Sequence, residues 1–102
     1  MSRGKARLGD QTIGVCYDSS HNSPITVGGK IITASENDFA NGRGIARLGD
    51  SVLTECNHQS YIITASENDF TNGRGIARLG DRVGRGPYQA VIITASENCF
   101  AN

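Results

Sequence analysis

Ala6-Arg7-Leu8-Gly9-Asp10 returns unchanged at Ala46 to Asp50 and again at Ala77 to Asp81. A second phrase, Ile-Ile-Thr-Ala-Ser-Glu-Asn, trails each copy, at Ile31 to Asn37, Ile62 to Asn68 and Ile92 to Asn98. Two phrases, each stated three times within 102 residues, mean three copies of one small unit. A unit of that size buries little apolar surface alone and must bury it against its neighbours. Three alike units that close on one another form a body with a pseudo-threefold axis. The reading is therefore one domain over residues 1–102, with repeats at about 3–41, 42–72 and 73–102.

Outward from these phrases, the local signals are β. Ile-Ile-Thr is β-branched throughout and fits a pleated strand. Asn41-Gly42 and Asn72-Gly73 are hairpin turns, because a type I′ turn needs positive φ at both central positions. After each turn Gly-Ile-Ala-Arg-Leu-Gly alternates, which sets Ala46 and Leu48 on one face and Ile45 and Arg47 on the other. A small Ala beside Leu suits a crowded axis. Gly then bends the chain, and the Asp carboxylate is placed to accept N–H bonds in the next turn. Two or three short strands per repeat are expected. From Asp10 to Ile31 the connection holds 20 residues, against 11 from Asp50 to Ile62 and 10 from Asp81 to Ile92. The extra residues of the first, with Pro24, Gly28 and Gly29, read as an extended loop.

Composition narrows the function. Thirteen Gly and no Trp describe a turn-rich chain with a modest core. Ten basic residues balance ten acidic ones, so nothing offers nucleic acid a basic face. No apolar run approaches the ~20 residues of a membrane-spanning helix. Met1-Ser2-Arg3-Gly4-Lys5 leads into no apolar stretch, so synthesis in the cytoplasm without a signal peptide is expected. Three Cys would leave one over from any disulfide framework, and a reducing place of synthesis favours metal binding or free thiols. A metal is also one of the few staples open to so small a body.

The triplicated Ala-Arg-x-Gly-Asp phrase, entering a variable turn and returning through Ile-Ile-Thr, resembles the PAAR-repeat proteins over about Arg3 to Asn102. The likeness is nearest to their short needle-tip forms in T-even-type contractile-tail bacteriophages and extends to type VI secretion tips. Pro is absent before Ala here, where Gly-Ile-Ala-Arg occurs twice and Gly-Lys-Ala-Arg once. The resemblance implies an all-β cone of three repeats, pointed at one end and flat at the other. It implies a structural tip that caps a homotrimeric β-helical spike, one chain per trimer, and sharpens it for piercing a target envelope that it contacts transiently. A virion tail or baseplate needle tip, or a secretion spike tip, is the implied location, with no homo-oligomer.

The resemblance also implies a metal near the apex, held by His and Cys in the turns after the Gly-Asp pairs. His21 and Cys16 lie in the first such turn, and Cys56 and His58 in the second. Two thiolates and two imidazoles make a closed tetrahedral set suited to structural zinc, with iron as second choice. Without the resemblance the same residues read as a buried small thiol and an exposed imidazole. Cys99 stands where the other repeats have Asp38 and Asp69, and reads as a free, packed thiol. The repeated Asp could ring a cation, but each Arg more simply offsets a nearby carboxylate. Glu36, Glu67 and Glu97 would form a second ring. The Ser-Glu-Asn that carries them is a candidate contact surface for a threefold partner.

No Gly-x-Ser-x-Gly, His-Glu-x-x-His or phosphate-cradling glycine loop is present, so no enzyme is expected. The competing readings are a free-standing small metalloprotein, hydrolase or toxin, and an adaptor linking effectors to the spike.

Overall fold

The structure is a computed structural model that describes residues 2–17, 24–56, 58–84 and 88–102. Asn41 and Asn72 take φ of 54° and 53°, and Gly42 and Gly73 take 77° and 75°. These are the left-handed pairs that a type I′ turn requires. The first turn joins β4 (Phe39–Ala40) to β5 (Arg43–Gly44), and the second joins β8 (Phe70–Thr71) to β9 (Arg74–Gly75). A third two-stranded ladder pairs β1 (Arg3–Gly4) with β12 (Phe100–Ala101) in the same register, Arg3 opposite Ala101 as Arg43 is opposite Ala40. Asn102 and Ser2 thus stand where the third Asn-Gly turn would be.

The common axis is visible in the hydrogen bonds. Ala46 N–H donates to the Ala6 carbonyl, Ala77 to Ala46, and Ala6 to Ala77, at 2.9, 3.0 and 2.9 Å. Single bridges repeat the cycle, with Arg7 opposite Ile45, Arg47 opposite Ile76 and Lys5 opposite Arg78. Only a small side chain fits where three backbones meet, and all three Ala are fully buried. Leu48 does not share that face. The strand stops after this single bridge, Gly49 turns at a φ of +87°, and Leu48 points to solvent.

Beyond the ring each repeat contributes one longer hairpin. These are β2 (Gln11–Cys16) with β3 (Ile25–Ile31), β6 (Ser51–Thr54) with β7 (Gln59–Ile62), and β10 (Arg82–Gly84) with β11 (Tyr88–Ile92). They close into a six-stranded barrel in the order β10-β11-β2-β3-β6-β7. Each repeat therefore supplies four strands, not two or three. Part of the first connection read as loop is strand: Gly28 and Gly29 lie inside β3, paired with Ile13 and Thr12, while residues 18–23 lie outside the described residues. The described residues contain no helix, and the body measures 40 × 26 × 21 Å.

The barrel is filled in layers, so it is a core and not a channel. The Ala ring is its floor. Ile31, Ile62 and Ile92, the first Ile of each second phrase, lie above it with Thr12, Val52 and Val83. Tyr88 is next and fully buried. A Cβ on Gly29 would lie 3.2 Å from the Tyr88 hydroxyl and 2.6 Å from Thr12 Oγ1, so the missing side chain is the room Tyr88 occupies. The Tyr88 hydroxyl meets Thr12 Oγ1 at 2.9 Å and donates to the Val27 carbonyl at 3.2 Å. A smaller cluster of Ala40, Ile45, Ile76 and Ala101 joins the short hairpins, with Cys99 packed against it as a free thiol.

The two repeated phrases join through charge. Asp50 accepts from the Arg47 backbone N–H, Nε and Nη2 at 2.7, 2.9 and 3.0 Å. Arg74 of the third repeat donates at 3.1 Å, and Thr33 of the first at 2.9 Å. Asp10 and Asp81 have the equivalent partners, Arg7, Arg43 and Thr94, and Arg78, Arg3 and Thr64. Each buried carboxylate thus ties three repeats together and is matched by two guanidinium groups, which removes the reason for a cation there. It reaches back to its own Arg, not forward into the next turn. The hydrogen bond to Asp81 also raises the Arg78 pKa further above its ordinary value.

Candidate functional site

Two regions can act on something outside the molecule, one at each end of the barrel axis. The first is the mouth opposite the Ala ring. Cys16 ends β2 and is fully buried, facing inward like Thr12 four residues earlier. Cys56 is half-buried in the turn after β6. Thr54 fastens that turn: its hydroxyl donates to the His58 carbonyl at 2.7 Å, accepts from His58 N–H at 3.1 Å, and lies 3.2 Å from Cys56 Sγ. The structure joins Cys16 and Cys56 as a disulfide, with Cα atoms 6.7 Å apart.

Of the four proposed metal donors, then, the fold brings Cys16 and Cys56 together and places His58 in the same turn as Cys56. His21 lies outside the described residues. Among the described residues no three His, Cys, Asp or Glu groups are gathered for a metal. The expectation of free or metal-bound thiols is met only for Cys99; the other two are bonded to each other. The pair nonetheless suits a metal in its dithiol form. Two thiolates from neighbouring repeats would give zinc two charged sulfur donors. A disulfide sulfur offers no such lone charge. What sequence reasoning missed is this pairing: forty residues separate the two cysteines, and only barrel closure brings them together.

The second region lies at the level of the ring and the short hairpins. Leu48, Ile63 and Phe70 line one groove with Thr64, Ala65 and Gly75. Their equivalents are Leu8, Ile32 and Phe39, and Leu79, Ile93 and Phe100. All nine large apolar side chains are between 39 % and 59 % exposed. Contiguous exposed apolar surface on so small a body marks a place of contact. Here it comes in three copies about one axis. The Ser-Glu-Asn segments border it. Each Ser hydroxyl closes its own turn, as Ser35 Oγ accepts from Asp38 N–H at 3.0 Å. Asn72 and Asn41 reach across repeats to Asn37 and Asn98 at 2.9 and 2.8 Å.

Three cyclically bonded repeats, each a short hairpin and a barrel hairpin around a buried Arg–Asp pair, define a triplicated β-fold. The chain belongs to the PAAR-motif family, whose model matches residues 21–93. That motif is found in spike-tip proteins of contractile injection systems. No curated protein matches the chain.

Proposed function

We propose that this protein caps the end of a homotrimeric β-helical spike, one chain per trimer, and gives it a stiff point for piercing a target envelope. The observation that carries this reading is the threefold repetition of exposed Leu, Ile and Phe around the Ala ring. A trimeric β-helix ends in unpaired strand edges, which are prone to fraying and to pairing with the wrong partner. A single chain with three near-identical faces meets all three subunits at once. The opposite end is free to differ among repeats, whose connections between the two repeated phrases differ in length and sequence. The role is mechanical and not catalytic: the barrel interior is packed. Coexpression with a trimeric spike tests it. A complex of one chain per trimer is expected; no complex, or another ratio, overturns the reading.

Zinc belongs to this proposal. In the dithiol form Cys16, Cys56, His58 and His21 would hold it, binding the turns of two repeats together without enlarging the core. Iron is the second choice, since these donors suit both. Four protein donors leave no open position for a substrate. Untagged protein kept reduced throughout purification is expected to carry about one equivalent of zinc per chain; well under one of any transition metal refutes the site.

A further inference from the structure

The barrel mouth holds chemistry that capping a spike does not use. Cys16 and Cys56 come from different repeats and are joined at the mouth, where Cys16 lies directly opposite Tyr88 in the barrel wall. They are unequal. Cys16 is 0 % exposed at the end of a strand paired on both edges, with Ile25 on one side and Tyr88 on the other. Cys56 is half-buried in a short turn, with the Thr54 hydroxyl 3.2 Å from its sulfur. Exchange needs a thiolate that the incoming disulfide can reach. Only one of the two sulfurs meets that condition.

We propose that the mouth is a thiol–disulfide exchange site in which Cys56 is the entry sulfur and Cys16 the resolving one, acting on small-molecule disulfides such as oxidised glutathione. The Cys56 thiolate attacks one sulfur of the small disulfide, whose S–S bond breaks and releases one small thiolate. Cys16 then gives its proton to water and attacks the Cys56 sulfur, releasing the second small thiolate. The protein gives up two electrons and two protons and gains the Cys16–Cys56 bond; the small disulfide takes up both and becomes two thiols. The product joins the first and second repeats across the mouth. It also excludes zinc from the four-donor site, because the same two sulfurs cannot serve both.

The test uses the full chain, reduced and stripped of metal with EDTA, then challenged with oxidised glutathione and mapped by peptide mass spectrometry. With the metal removed, the outcome is independent of whether zinc binds. Wild type is expected to give the linked Cys16–Cys56 peptides, and early quenching to catch glutathione on Cys56. Cys16→Ser should accumulate the mixed disulfide on Cys56, whereas Cys56→Ser should label Cys16 roughly tenfold more slowly or less, since a buried sulfur waits for local opening. Absence of the linked peptides under excess oxidant overturns the proposal. So does early label on Cys16 in wild type, a measurement that needs no variant to fold.

Discussion

Gly44 and Gly42 are two residues apart and do opposite things. A Cβ on Gly44 would sit 2.2 Å from the Ser35 carbonyl oxygen, so backbone would have to move. A Cβ on Gly42 would meet nothing, and only its φ of +77° opposes a side chain. Gly42→Ala should therefore cost about 1 kcal/mol and Gly44→Ala about 3 kcal/mol or more, read as the difference in urea unfolding. Equal costs would mean that the close approach is not made. The sequence showed both glycines and the turn at the first. It could not show the carbonyl facing the second, because that contact joins the short hairpin to the Ser-Glu-Asn segment. The repeated Asp is a similar case. Its importance was plain from repetition, yet its partners Arg74 and Thr33 come from other repeats, and no local rule names them.

The barrel hairpins are where local reading failed most. Gly28-Gly29 looks like a loop, and here it is strand, because a bulky side chain from another repeat fills the space the glycine leaves. Tyr88 makes this measurable. Burial pushes its phenol above the ordinary range, partly offset by the hydrogen bond with Thr12, with the Glu55 charge adding to the rise. The folded pKa is raised, so its contribution is whole below the unfolded value of about 10 and is lost as pH rises through the folded value. Stability should hold flat in this respect through neutral pH and fall above pH ~10. Tyr88→Phe should be less stable at neutral pH, by about 1 kcal/mol for the lost hydroxyl bonds, and should lack that alkaline component. Parallel pH profiles for the two proteins would count against it. The mouth was legible only as residue types. Two cysteines in two turns were visible, but the bond between them depends on which strands close the barrel.

For the molecule as a whole, threefold closure was legible from repetition alone, and the Ala at the axis from its size. The face that the closure creates was not, because alternation set Leu48 inward. That face carries the next prediction. Leu48→Glu changes an exposed side chain and should move stability by no more than about 0.5 kcal/mol. Placed in one of three grooves, the charge should weaken spike binding about tenfold, and the triple change at Leu8, Leu48 and Leu79 should abolish it. Calorimetry with the isolated trimer reads both, and unchanged affinity in the triple variant would move the contact elsewhere.

The ladder between β1 and β12 makes the order of the three units arbitrary. The backbone is nearly a circle, and its one gap falls at a position that is elsewhere a two-residue bend. Bridging Asn102 to Ser2 with a short glycine linker and cutting between Asn72 and Gly73 should give a permuted chain with the same fold and a melting point close to the original. Any of the three bends can then serve as the doorway for an inserted domain, carried at the rim and clear of the point.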